Sequence, residues 1–214
     1  MRVAVVNETS AVDKHPFIIG ALEGRGLEVV NGGMAEKGED PELQYGHTGL
    51  ISALLLSAGR VDMVIAGCGT GQGYMNSVMQ YPGVFVGHLL TPLDAFLFAR
   101  INNGNVISLA LNQGWGWAGE ENLRMLFDQL FSDAAGEGFP PHRQEPQRNS
   151  RERLGVISEA THRSMSEIVV RLPDDIVVPA LTHPAAAAAL DIDSISDTVL
   201  RSALQARLLK ESLV

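Results

Sequence analysis

The chain predicts an α/β protein, a Rossmann-like open parallel sheet of five strands with helices on both faces, followed by a helical C-terminal extension. Three observations carry this. Short β-branched apolar runs alternate with segments of helical length through the first two-thirds, the pattern of a parallel sheet. One run, Val61-Asp62-Met63-Val64-Ile65-Ala66, empties into Gly67-Cys68-Gly69-Thr70-Gly71-Gln72-Gly73, a loop with glycine at every second position. Beyond residue 153 the strand-like runs stop and helical patterns take over.

In chain order, the strand candidates are residues 3–6, 27–30, 63–66, 84–86 and 106–109. Helical segments are expected over 16–23, 49–58, 73–80, 93–100 and 120–131. Pro16 suits a first helical turn, and Phe17, Ile18, Ala21 and Leu22 form one apolar stripe behind it. Gly59 follows the second helix as a terminator. The chain divides on this reading into a sheet domain over 1–135, a basic linker or arm over 136–153, and a helical extension over 154–214. The arm is punctuated by Gly136, Gly138, Pro140, Pro141 and Pro146 and made basic by Arg143, Arg148, Arg151 and Arg153. In the extension, helices are expected around 159–169, 184–190 and 194–209, and Asp174-Asp175 reads as a solvated turn.

Ligands of such sheets sit outside the carboxyl ends of the strands. There Asn7-Glu8-Thr9, the Cys68 loop, Gly87-His88 and Asn112-Gln113 are expected to converge. Glycines let backbone N–H groups approach a ligand, and a loop entering a helix places an anion at the helix N-terminus. A thiol among such donors can be held as thiolate and serve as base or nucleophile. The competing reading is a tight turn around a buried, inert cysteine. Two nucleotide sites are excluded. Counting six from Gly67 or Gly69 reaches Gln72 or Tyr74 where a dinucleotide fingerprint needs glycine, and no lysine for a P-loop occurs between Lys37 and Lys210.

A formal net charge of −9 argues against nucleic acid as the partner, while leaving room for a small anionic substrate. No apolar run approaches the ~20 residues that span a bilayer. The N-terminal segment is too soon polar for a signal peptide, and the single cysteine allows no internal disulfide. A cytoplasmic protein without membrane association is therefore expected. No His, Cys, Asp and Glu group has metal-ligand spacing, so neither a metal nor a cofactor is expected.

These residues resemble the ribose/galactose isomerase family, which includes type B ribose 5-phosphate and galactose 6-phosphate isomerases. The resemblance runs from Met1 to about Arg153. It is carried by residues 61–73, by Asn102-Asn103-Gly104-Asn105-Val106-Ile107, and by the spacing from the first strand through Glu23 to Leu27-Glu28-Val29-Val30. It implies interconversion of an aldose and a ketose through a cis-enediolate, on a sugar or sugar phosphate. Cys68 would move the proton between C1 and C2. Thr70 and the N–H groups of Gly69, Gly71 and Gly73 would hold the oxyanion, each such donor being worth roughly 2.7–4 kcal/mol. Asn102 matches the family's substrate-binding asparagine, and Glu8 keeps a carboxylate for a sugar hydroxyl.

The departures are equally specific. The family's Ser-Asp-His after the first strand is Asn7-Glu8-Thr9 here, and its ring-opening histidine is Ile101. Asn112 stands for an arginine, Gln80 for a lysine and Met79 for an asparagine. Arg143 and Arg148 are the candidates for the family's C-terminal arginines, which contact phosphate across a subunit interface. A homodimer or dimer of dimers, its site completed by the neighbouring chain, follows as the expected assembly.

His88 and His47 are possible replacement acids, with a structural role the alternative for each. Trp115 and Trp117 could stack on a sugar or serve packing. Three functions compete on this sequence. They are an isomerase, a catalytically silent sugar-phosphate-binding subunit favoured by the lost polar positions, and a Cys-nucleophile transferase or hydrolase lacking an evident His partner. Retention of Glu8, Cys68, Thr70 and Asn102 together favours the enzyme.

Overall fold

In the computed structural model, which describes residues 1–211, five strands pair in parallel in the order β2-β1-β3-β5-β4. They are β1 (Arg2–Val6), β2 (Glu28–Asn31), β3 (Met63–Cys68), β4 (Val86–Leu89) and β5 (Val106–Ala110). Strands covered on both faces read as continuous apolar runs, which is why the sequence located them. Val3 and Val5 point to one core cluster, and Ala4 and Val6 to the other. The first expected β4 residues, Val84 and Phe85, lie just outside the ladder. Asn105 Oδ1 accepts the Phe85 N–H at 2.9 Å and so takes the place of a strand partner.

One face carries α1 (His15–Leu22), α4 (Pro92–Leu97) and α5 (Gly119–Leu130), with α4 continuing into a π-helical turn, Phe98–Asn102. The other carries α2 (Tyr45–Ser57) and α3 (Gln72–Val78). From β1 the chain steps out to β2, then returns past β1 to β3. The helices following β1 and β3 therefore lie on opposite faces, and a crevice opens between the carboxyl ends of these two strands.

Residues 144–153, the greater part of the expected arm, instead open the long helix α6 (Gln144–Thr161). Pro146 is its third residue, where the backbone N–H has no intrahelical partner to lose, so the apparent breaker is a helix starter. Arg143 and Arg148 are exposed at its start, and Ser158 is its buried residue. Leu154, Val156 and Ile157 stand exposed along it.

The extension continues as α7 (Met165–Arg171), α8 (Asp174–Thr182), α9 (Pro184–Leu190) and α10 (Thr198–Glu211). The single helix expected around 159–169 is broken because Ser164 caps α7, its hydroxyl and Glu167 closing a capping box. Asp174-Asp175 opens α8 instead of forming a turn, and Asp174 pairs with the buried Arg207. Val169, Val177, Leu181, Ala186, Leu190 and Leu204 join the same core cluster as Leu50, Leu54 and Val64. Among the described residues no single helix is long and apolar enough to cross a membrane.

Candidate active site

The crevice between β1 and β3 holds a shallow cleft of about 420 Å³. It is lined by Glu8, Thr9 and Ser10 after β1, by Gln44 and Tyr45 at the start of α2, and by Cys68, Gly69, Thr70 and Gly73 around the end of β3. Cys68 is the last residue of β3 and is 6% exposed. Its carbonyl accepts N–H groups from Gly71 at 3.2 Å and Leu111 at 3.0 Å, so the loop is fastened to itself and to the chain after β5.

Two glycines are dictated by close approach. A Cβ on Gly67 would fall 2.2 Å from the Leu109 carbonyl oxygen of β5. Gly71 has φ +75°, and a Cβ there would lie 2.6 Å from His88 Nε2. Any side chain at either position would push the Cys68 loop off the sheet.

The β1 and β3 loops are laced together. The Ser10 hydroxyl donates to the Glu8 carboxylate and accepts the Gly69 N–H at 3.1 Å. The Ser10 carbonyl accepts from Asn112 Nδ2 at 2.7 Å, and the Gly69 carbonyl accepts the Asn112 N–H at 3.0 Å. Asn112 thus ties the two loops together. This corrects part of the expected oxyanion site. The Gly69 N–H is given to Ser10 of the β1 loop, and the Gly71 N–H to Cys68, where the loop folds back on itself. The candidates that remain are the Thr70 hydroxyl, whose oxygen accepts the Gln72 N–H at 3.4 Å, and the Gly73 N–H in the first turn of α3.

Neither histidine offered as an acid lines the cleft. The Gln44 N–H donates to His47 Nδ1 at 3.0 Å, and His47 Nε2 lies 3.0 Å from the Asp175 carbonyl of α8, to which it donates. Both ring nitrogens are occupied, so His47 is a helix cap and a tie. His88 Nε2 donates to the Thr70 carbonyl at 3.0 Å and supports the loop from behind. Asn102 also lies elsewhere, in a larger cavity of about 670 Å³ with His88, Asp94, Arg151 and Leu154. Ile101 is held through its carbonyl by Arg151 Nη1 at 2.8 Å. Arg143 and Arg148 line neither cavity. Trp115 packs on Phe17 with ring centroids 5.6 Å apart and under Lys14, while Trp117 is 99% exposed. Among the described residues no three His, Cys, Asp or Glu side chains gather to hold a metal.

The sequence reading passed over Ser10, Gln44 and Tyr45. Their signal was position, since a helix following β2 must begin at the same sheet edge as the Cys68 loop. His15 and His183 were also passed over. Burial lowers the pKa of each below its ordinary 6.5, against the raising influence of Glu39. Asn7 Nδ2 donates to His15 Nδ1 at 2.9 Å, a bond that needs the neutral ring. The folded state therefore resists protonation that the unfolded chain accepts near pH 6.5. Stability should be full above that value and fall as the pH drops below it. Urea midpoints between pH 8 and pH 5 should show the decline, and His183→Gln should flatten it. An unchanged midpoint in the wild type contradicts it.

Residues 3–138 match the ribose/galactose isomerase family. The chain belongs to that family. A solved structure of a 4-deoxy-L-threo-5-hexosulose-uronate ketol-isomerase, complexed with a tartrate, is 33% identical with a TM-score of 0.91. The alignment covers 97% of this chain and 99% of that one. A ribose-5-phosphate isomerase structure from Vibrio parahaemolyticus is 34% identical, with the same coverage and TM-score. Both extend over the C-terminal helices. The type B ribose 5-phosphate isomerase of Leishmania infantum shares the fold alone, at 19% identity and TM-score 0.60, and its 98% coverage spans 75% of this chain. No curated protein matches. Family and neighbours together support sugar isomerase activity.

Proposed function

We propose that this family member is a ketol isomerase of an open-chain sugar acid, working through a cis-enediolate with Cys68 as the base. One observation carries the reading. Cys68, Thr70 and Glu8 share a cleft whose described lining contains no lysine, arginine or histidine. Such a cleft keeps the proton-transfer groups while lacking an acid for ring opening and a cation for phosphate. The substrate named for the uronate isomerase has those requirements. A 4-deoxy-5-ketohexuronate has no hydroxyl at C4 or C5, so neither a furanose nor a pyranose can close on its aldehyde.

In the reaction the Cys68 thiolate takes the proton from C2 and the carbonyl oxygen at C1 becomes negative. Thr70 and the Gly73 N–H donate to that oxygen, and Glu8 orients a hydroxyl. A proton passes from O2 to O1, and the Cys68 thiol returns its proton to C1. The first residue of α2, Tyr45, is 53% exposed and stands over Gly73, close enough that a Cβ there would meet its ring at 3.1 Å. It forms an aromatic wall for the rest of the chain. The site is completed in a homodimer, in which the neighbouring chain brings its Asn102 to the cleft.

Acid–base assistance is typically worth 10²–10⁴ in rate, so kcat/KM for this uronate should exceed that for a cyclic hexose phosphate by at least about 10². Ribose 5-phosphate should fall between them. A cyclic hexose phosphate as best substrate, with His88→Ala leaving it unaffected, contradicts the proposal.

A further inference from the structure

The helices beyond α6 lie outside residues 3–138, the segment that matches the family, and two of their contacts reach the wall of the Cys68 cleft. The first runs through His47, the third residue of α2. Its Nδ1 accepts the Gln44 N–H, closing a capping box, and its Nε2 donates to the Asp175 carbonyl of α8. Gln44 and Tyr45 both line the cleft. Beside them Ile176 Cδ1 lies 3.5 Å from where a Cβ of Gly46 would be, so α8 also packs on this first turn.

The second contact is at the α8–α9 junction. The fully buried His183 places Nε2 2.9 Å from Glu39 Oε2, and Glu39 Oε1 accepts the N–H groups of Ala35 at 3.1 Å and Glu36 at 2.9 Å. The segment so held is bonded to the other cleft wall. The Met34 N–H donates to the Asn7 carbonyl at 3.0 Å, and the Leu43 carbonyl accepts the Thr9 N–H at 3.0 Å.

A helix start needs such support here. The first turn of a helix frays because its N–H groups lack intrahelical partners, and glycine adds conformational entropy to be lost. Here that turn contains Gly46 and presents an exposed tyrosine to the ligand. We propose that α8 and α9 brace the substrate wall, with His47 as the positioning residue that fixes Gln44 and Tyr45 for binding. The brace lowers the ordering cost of binding and leaves the proton transfer at Cys68 untouched. This rests on the cleft being the substrate site.

The test uses the full chain and separates the two readings. His47→Gln keeps a capping-box residue at the third position while removing the bond to Asp175, and Ile176→Ala loosens the same turn from the other side. Each should raise KM for the 4-deoxy-5-ketohexuronate by about 5- to 20-fold, with kcat per reactive thiol within about twofold. In a Tyr45→Ala background His47→Gln should add less than about twofold, because the two act through one wall. In both single variants iodoacetamide should alkylate Cys68 faster, and amide exchange should quicken at residues 44–47 while α5 is unchanged. A lowered Tm with KM unchanged, or a KM effect undiminished in the Tyr45→Ala background, overturns the brace. Should the wild type fail to turn over the uronate, the proposed reaction falls, and the alkylation and exchange rates alone decide. Rates unchanged in both variants then overturn the brace.

Discussion

Cys68→Ala should abolish turnover while leaving the fold intact, with kcat lowered by about 10⁴, the upper end of what a positioned general base contributes. The thiol is the one side chain of the cleft that combines a position at the end of β3 with the capacity to remove a carbon-bound proton. Glu8, the one carboxylate of the described lining, is engaged by the Ser10 hydroxyl. Stability should change little. The substitution removes one sulfur from a small side chain, and the loop is held through the Cys68 carbonyl by Gly71 and Leu111, bonds that any residue keeps. A loss of about 1 kcal/mol is the expected cost. Circular dichroism melts beside initial rates measure both quantities. Appreciable activity in Cys68→Ala would remove the thiol from the mechanism.

The second large effect concerns Asn102. In its own chain it lies with His88, Asp94 and Arg151, outside the Cys68 cleft, so a substrate-binding role requires it to serve the partner's cleft. In a twofold dimer each interface patch faces its equivalent, and such an exchange is reciprocal. Asn102→Ala should lower kcat/KM by about 10², the scale of a lost polar contact to a reacting group. Mixed with Cys68→Ala by refolding or co-expression, it should regain activity. The heterodimer joins one doubly defective site to one intact site, and statistical mixing gives about a quarter of wild-type activity. No recovery in a preparation shown to contain heterodimers places Asn102 in its own chain's chemistry or in none. Leu154, Val156 and Ile157 of α6 are exposed apolar residues that such a pairing would be expected to cover.

The five strands were legible because a sheet covered on both faces leaves uninterrupted apolar runs, and the Cys68 loop because its glycines are forced by contact with Leu109 and His88. The start of α6 was not legible. Pro146 reads as a breaker anywhere except the first turn of a helix, and only the fold reveals which turn it occupies. The Ser164 and Glu167 capping box was present in the sequence and passed over. For the site, residue type singled out Glu8, Cys68 and Thr70, and the structure gathers the three in one cleft. Residue type did not show that the N–H groups of Gly69 and Gly71 and the rings of His47 and His88 have partners, because whether an N–H or a ring nitrogen is available depends on groups distant in sequence. His47 is occupied by a carbonyl 128 positions away, and the Gly69 N–H by a hydroxyl 59 positions away.

The central claim is that Cys68 carries a proton from one carbon to its neighbour through an enediolate. It is tested most directly by isomerising the 4-deoxy-5-ketohexuronate in deuterium oxide and following the two carbons by NMR. A thiol that holds the migrating proton exchanges it with solvent during repeated forward and reverse turnover. Deuterium should therefore accumulate at C1 of the product and at C2 of the recovered substrate, and both signals should disappear in Cys68→Ala. Product that reaches equilibrium free of deuterium, or incorporation that persists without the thiol, would contradict the account.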